Sequence, residues 1–329
     1  MASRRSRRRD KREAETTKRR VEAKHGSMAK GPGRFALSTD WIVVGIILGV
    51  FAIAGIIFAT RHFIDSGGSS APVFNQVFDV TVASANPEIR LIADESGLYR
   101  ADTKDWKATS IKGKPVYAVV ADQANPRVAY AGGEGFLQRS NDAGATWRVL
   151  ATNLPANPSV RSLAIDPSNS ANLWAFIQGS GLYRSMDGAA IWTKAADITD
   201  ATISTIAVKA NAGNTLFAFS TKRGLVRSDD GGQNFQAVIA QDFPATAVSD
   251  VLTYSDAPET IYAIAGRTIY RSPDAGAKWS VSNTGATTAD LVSIAWDAAS
   301  KRFFAADVSG NLYTSGDGKS WEFHQGASS

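Results

Sequence analysis

Two hydrophobic signatures divide this chain. The first is an unbroken apolar run at 41–60, WIVVGIILGVFAIAGIIFAT, which carries no charge. At about 1.5 Å of rise per residue, the run matches the roughly 30 Å hydrocarbon core of a bilayer and predicts one spanning helix, placed at 40–61. Its twelve Ile, Leu, Val and Phe residues contribute roughly −4 to −7 kcal/mol on an insertion scale, with nothing charged to oppose them. A cleaved signal peptide would have an apolar stretch of about 7–15 residues followed by a small-x-small site. Here the run is longer and ends Phe58-Ala59-Thr60-Arg61, which favours a retained anchor. The second signature starts after a short Ser/Gly-rich linker at 62–71 and fills 72–329. It consists of short segments of alternating apolar and polar residues, separated by turn residues, which is the pattern of half-buried strands. One unit reads as strands at 116–121, 127–131, 136–140 and 147–150, with the Asn125-Pro126 turn between the first two, where proline costs no ladder hydrogen bond.

That unit recurs. The passages RSNDAGATW (139–147), RSMDGAAIW (184–192), RSDDGGQNF (227–235) and RSPDAGAKW (271–279) align, followed by a shortened SGDGKSW (315–321) and a worn YRADTKDW (99–106). The aromatic anchors stand at 106, 147, 192, 235, 279 and 321, giving gaps of 41, 45, 43, 44 and 42 residues. A period near 43 with four strands per unit reads as propeller blades, because a lone four-stranded sheet leaves both apolar faces wet and a ring of sheets covers them. The 258 residues of 72–329 hold six such units. The fold class expected is therefore all-β: a six-bladed β-propeller of four-stranded blades, preceded by one transmembrane helix. The sixth unit supplies its own outer strand at 321–324, so closure falls to apolar packing between the first and last blades or to a partner.

Charge adds orientation. The net charge of +5 divides into +9 over residues 1–39 and −4 over the remainder. Thirteen Lys/Arg precede the apolar run and Arg61 alone follows it closely, so the positive-inside rule places the N-terminus in the cytoplasm and the body outside it, on a plasma or photosynthetic membrane. The tail 1–39 is expected to be a solvated orientation signal, with anionic lipid headgroups as its sharper partner. Within the helix, Gly45 and Gly49 form a small-xxx-small spacing that permits close approach of a second helix. A mildly acidic body gives no nucleic-acid signature. Cysteine is absent, and the three histidines are His25, His62 and His324. Disulfides, thiolate chemistry and cysteine zinc sites are thereby excluded, and neither a metal nor a cofactor is expected.

The Ser-x-Asp-x-Gly-x-x-Trp pattern offers an acid and a hydroxyl in each copy, at Asp142, Asp187, Asp230, Asp274 and Asp317. A tight reversal between strands three and four explains these residue types without catalysis: the carboxylate and Ser accept backbone N–H groups, Gly permits positive φ, and Trp packs beneath. These passages resemble the Asp-box, or bacterial neuraminidase repeat, family of β-propellers. The resemblance covers about three quarters of the chain. The family includes sialidases, xyloglucanase-type glycosidases, sortilin receptors and photosystem II assembly and stability factors. The Gly-Leu-Tyr-Arg lead-in at Gly97 and Gly181, with the Asn-Pro turns, looks closest to the assembly-factor and sortilin-like branch, which implies a binding protein.

A sialidase resemblance would bring an arginine triad, a Tyr–Glu pair and an Arg-Ile-Pro motif; Glu88-Ile89-Arg90 is only an echo of the last. For another glycosidase, two carboxylates must face each other across a cleft at about 5–10 Å. Aligning VFDVTV, VYAVVA, VRSLAI, ISTIAV, VSDVLT and LVSIAW puts Asp79, Ala118, Ser162, Thr205, Asp250 and Ser293 at one inner-strand position. Asp79 and Asp250 are the candidate acid/base pair, against the plainer expectation of a narrow wet channel lined by small polar residues. Asp94, Glu95, Lys112, Lys114, Glu134, Arg161, Lys222, Arg223 and Arg267 fall in loops of one face. The basic members are candidates for docking an acidic loop or terminus of a membrane protein complex. The function expected is a membrane-anchored, non-catalytic docking or assembly factor, photosynthetic or respiratory by resemblance. A cell-surface glycoside hydrolase and a permanent subunit held through Gly45 and Gly49 are the alternatives.

Overall fold

A computed structural model describes residues 73–74, 76–83, 89–102, 105–198, 202–283 and 289–325. The expected helix at 40–61, with Gly45 and Gly49, and the basic tail lie outside the described residues. Among the described residues, no helix is long and apolar enough to cross a membrane.

The described residues form twenty-four strands in six four-stranded antiparallel sheets, each built from four consecutive strands. Blade 1 holds β1 (Val77–Val82), β2 (Arg90–Asp94), β3 (Gly97–Ala101) and β4 (Trp106–Lys112), and blade 2 holds β5 (Val116–Ala121), β6 (Ala129–Gly133), β7 (Phe136–Ser140) and β8 (Arg148–Val149). Blade 3 follows with β9 (Val160–Asp166), β10 (Asn169–Ile177), β11 (Gly181–Ser185) and β12 (Thr193–Ala196), and blade 4 with β13 (Ile203–Val208), β14 (Leu216–Ser220), β15 (Gly224–Ser228) and β16 (Gln236–Ala237). Blade 5 holds β17 (Val248–Thr253), β18 (Ile261–Ala265), β19 (Thr268–Ser272) and β20 (Ser280–Val281), and blade 6 holds β21 (Leu291–Asp297), β22 (Arg302–Asp307), β23 (Leu312–Ser315) and β24 (Glu322–Gln325). The fold is a six-bladed β-propeller.

The alternation in the sequence becomes two buried faces per blade. No single core forms; a separate apolar cluster fills each seam between neighbouring blades. Leu91 and Leu98 of blade 1 meet Val119 and Trp147 of blade 2, and Trp174 and Phe176 of blade 3 meet Ile206 and Leu216 of blade 4. The outer strands β8, β16 and β20 are two residues long. They are shorter than the alternation suggests, β8 holding only Arg148–Val149 of the expected 147–150. The predicted 321–324 strand likewise starts one residue later, at Glu322.

The ring closes without strand exchange, as the repeat count implies, because β1 to β4 already complete the first sheet. At the seam between blades 6 and 1, Phe74, Val77, Val80 and Ile92 pack against Ala306 and Leu312. Val77 N donates to Val308 O at 3.3 Å, and Gly310, at φ +83°, lies so close to Phe74 that a Cβ would overlap its ring.

Candidate functional site

The repeated turns lie between the third and fourth strands of blades 2 to 6. In blade 2, Ser140 Oγ donates to Asp142 Oδ1 at 2.7 Å and accepts Gly144 N at 2.8 Å; the same carboxylate oxygen accepts Thr146 N at 2.8 Å. Trp147 then donates Nε1 to Gly144 O at 3.0 Å. Asp187, Asp230, Asp274 and Asp317 repeat the pattern, accepting Ile191 N at 2.9 Å, Asn234 N at 2.9 Å, Lys278 N at 2.8 Å and Ser320 N at 2.7 Å. These amide bonds favour the ionised form. They hold Asp230 and Asp317 down at about 2, chiefly through Asn234 N and Ser320 N respectively. Each carboxylate is thus committed to its own turn.

The inner strands β1, β5, β9, β13, β17 and β21 line a central channel of about 130 Å³. Asp79 and Asp250 both border it, and each is tied to the next blade around the ring. Asp79 Oδ2 accepts Val119 N of blade 2 at 2.9 Å, while Oδ1 accepts Val80 N at 2.8 Å and Ser293 Oγ of blade 6 at 2.7 Å. Asp250 Oδ2 accepts Ile294 N of blade 6 at 2.9 Å, while Oδ1 accepts Val251 N at 2.8 Å and Thr205 Oγ1 of blade 4 at 2.7 Å. The residues at the aligned position therefore form a hydrogen-bonded belt through blades 4, 5, 6, 1 and 2. Ala118, in blade 2, has no polar group to extend it.

Both carboxyls keep partial exposure to the channel, yet protein surrounds them closely. Burial is the main cause that pushes Asp79 up to about 8; repulsion from Asp250 adds to it, and the bonds from Val119, Ser293 and Val80 pull back. Burial raises Asp250 too, against the bonds from Ile294, Thr205 and Val251. The same burial therefore pushes both carboxyls upward.

At one end of the channel, the residue preceding the aligned position is aromatic or cationic in three successive blades. Phe78 and Tyr117 meet edge-on at 5.4 Å, and the Arg161 guanidinium stacks 3.9 Å from the centre of the Tyr117 ring. The buried Nε of Arg161 has no acceptor among the described residues. On this same face Lys114 sits 4.0 Å from the Phe136 ring centre, and Lys112 ends β4, exposed. Lys222 and Arg223 are exposed in the β14–β15 turn, where Arg223 Nη1 donates to Phe235 O at 3.3 Å, and Arg267 pairs with Asp290 at 3.7 Å. The candidate cations are therefore spread over five blades; Phe78 and Tyr117 line the channel, and Arg161 meets it through the Tyr117 ring. Asp94 is no surface charge: it is buried at 0% exposure and caps the β2–β3 turn by accepting Ser96 N and Gly97 N, both at 2.8 Å. The sequence reading missed Phe78 and Tyr117, although both stand one residue before positions it had aligned. Among the described residues, no group of His, Asp or Glu has a metal-holding arrangement.

This geometry has relatives at the level of architecture. In sequence, the profile of the DUF6242 β-propeller domain matches residues 130–267, from blade 2 into blade 5. Among curated proteins, none matches the sequence. Solved structures do. The GH74 xyloglucanase of Xanthomonas campestris is 16% identical over 78% of this chain and 56% of its own, with a TM-score of 0.54. An ancestral GH74 enzyme is 17% identical over 76% of this chain and 38% of its own, with a TM-score of 0.52. YCF48 from Cyanidioschyzon merolae is 14% identical over 78% of this chain and 87% of its own, with a TM-score of 0.48. The chain thus spans from about two-fifths to just over half of those GH74 proteins, and the likeness is one of fold.

Proposed function

We propose that the propeller is a non-catalytic docking module of the Asp-box type, held at a membrane by the 40–61 helix. Its partner is an acidic segment of a membrane protein complex, received at the channel mouth around Arg161. The observation that carries this reading is the Phe78, Tyr117 and Arg161 group, in which a guanidinium stacks on a Tyr ring that a second aromatic ring meets edge-on. Tyr and Arg in such settings dominate binding energy at protein interfaces, and a stacked Arg keeps its fork free for a carboxylate. Lys112, Lys114, Lys222, Arg223 and Arg267 surround that mouth as a rim that steers an acidic partner.

Two features argue against chemistry in the channel. Asp79 and Asp250 spend their oxygens on interblade amide and hydroxyl bonds. The 130 Å³ channel is also well below the roughly 300–1,000 Å³ of small-molecule sites. A second reading, a glycoside hydrolase using these two acids, draws on one observation: the carboxyl of Asp79 is raised to about 8 beside Asp250, as a general acid's would be.

Affinity capture from detergent-solubilised membranes tests the first reading. Arg161→Glu and Tyr117→Ser are each expected to reduce recovery of the bound complex by at least about tenfold, as loss of a central interface residue does, and Lys222→Glu/Arg223→Glu by less. Recovery unchanged in Arg161→Glu and Tyr117→Ser refutes docking at this mouth. Hydrolysis of xyloglucan or aryl glycosides that vanishes in Asp79→Asn would establish the second reading.

A further inference from the structure

In five blades an arginine stands one residue before the end of the third strand: Arg100, Arg139, Arg184, Arg227 and Arg271. Four of them have an acceptor. Arg100 pairs with Asp102 at 2.9 Å and Arg227 with Asp229 at 2.8 Å, while Arg184 Nη1 donates to Asn214 Oδ1 at 2.9 Å and Arg271 Nη2 to Thr260 Oγ1 at 3.3 Å. Arg139 has none: among the described residues it makes neither a hydrogen bond nor an ion pair, and its buried Nε is without an acceptor. Two local changes set it apart. The acid that stands two residues after Arg100 and Arg227 is Asn141 in blade 2, and the hydroxyl of Tyr130, on the neighbouring strand, donates across the seam to Gly188 O at 3.1 Å.

The outer strand adds a second cation at the same place. β7 and β8 pair with Arg139 directly opposite Arg148, so both side chains leave one face of the sheet with Cβ atoms about 5 Å apart, where like charges repel. Arg148 is exposed and, among the described residues, also lacks a hydrogen bond or ion pair. Blade 1 meets the same problem with its own acid. There Arg100 lies opposite Lys107, and the Asp102 carboxyl is held below the usual carboxylate range, first by the bond from Arg100 and more weakly by the charge of Lys107. The acids at the blade 2–3 seam are engaged elsewhere. Asp122 accepts Ser170 Oγ at 2.7 Å and Ala124 N at 2.9 Å, and Asp187 accepts Ser185 Oγ at 2.8 Å and Ile191 N at 2.9 Å.

We propose that Arg139 and Arg148 hold a tetrahedral oxyanion of the phosphate class at the rim of blade 2. The anion does for these two arginines what Asp102 does for Arg100 and Lys107. Guanidinium forks bind phosphate oxygens through paired, charge-assisted bonds, and two of them match a dianion in charge. The Tyr130 ring, 5.7 Å from the Arg139 guanidinium carbon and tied to Gly188 O, backs the inner arginine. The site stands by the β7–β8 turn, at the opposite end of the blades from Arg161 near the start of β9, so it is independent of the docking reading.

The test is isothermal titration of the full chain in detergent with inorganic phosphate at pH 8, with acetate at matched ionic strength as the comparison. Uptake by the basic tail is common to wild type and variants and cancels between them. One saturable phosphate site is expected in the wild type, weaker by at least about tenfold for acetate and in Arg139→Gln and Arg148→Gln. Phosphate should raise the melting temperature of the wild type and leave those variants unmoved. Asn141→Asp, which gives blade 2 the acid that blades 1 and 4 carry, is expected to abolish the site while the fold holds. Absence of a saturable site in the wild type, or equal affinity for acetate, overturns the proposal. So does undiminished phosphate affinity in either arginine variant or in Asn141→Asp, and the exposed Arg148→Gln carries the test if Arg139→Gln does not fold.

Discussion

Replacing Asp79 with asparagine gives the most direct measurement of what the channel carboxylates do. The folded protein holds the Asp79 proton up to about pH 8, whereas the unfolded chain releases it near 3.8. Stabilisation from that proton is complete below 3.8 and is lost as pH rises through about 8. One proton held only by the folded state is worth about 1.4 kcal/mol per pH unit, so between pH 5 and 8 the wild type loses up to about 4 kcal/mol from this group. Asp79 shares its charge with Asp250, so this figure is an upper bound. Asparagine has no such titration, but its amide cannot accept from Val119 N, Val80 N and Ser293 Oγ together. That defect costs about 1–3 kcal/mol at every pH. Urea unfolding of both proteins from pH 5 to 8 should show the wild type ahead at pH 5, with the gap closing or reversing by pH 8. A gap that stays constant or widens with pH would refute the assignment, because it would mean that Asp79 is ionised throughout and strongly held.

Other consequences follow from the rim and the seam. Trp192→Ala empties a buried site at the blade 2–3 seam and removes the bond from Nε1 to Ala189 O at 3.2 Å; it should cost about 3–5 kcal/mol in denaturant unfolding. Trp321→Ala should cost visibly less, because that ring is only partly buried and its Nε1 has no acceptor among the described residues. Gly310→Ala forces a side chain into the left-handed region and against Phe74. The combined strain and overpacking should reduce stability by about 2–5 kcal/mol, read as a lower denaturant midpoint and faster proteolysis.

Much of this molecule was legible because a repeat writes the same physics several times. Alternation, turn residues and a 43-residue spacing fixed the blade as a four-stranded unit, and dividing the length by that spacing fixed six. The turn aspartates were legible for the same reason, since their partners lie within a few residues: Asp142 binds Ser140 and Thr146. The aligned inner position brought Asp79, Thr205, Asp250 and Ser293 together correctly, because one register governs all six sheets.

What those side chains do was a tertiary decision. Whether Asp79 faces a substrate or braces its neighbour depends on Val119 N and Ser293 Oγ, which lie 40 and 214 residues away along the chain and come near only when the ring closes. The stacking of Arg161 on Tyr117 joins two blades in the same way. Asp94 shows the converse, since a residue that reads as a surface charge is buried by its own turn. The sequence by itself determined the local, repeated interactions within each blade. Contacts between blades were decided by the closed ring, because their energy depends on the packing of segments that carry no mark of one another in the linear chain.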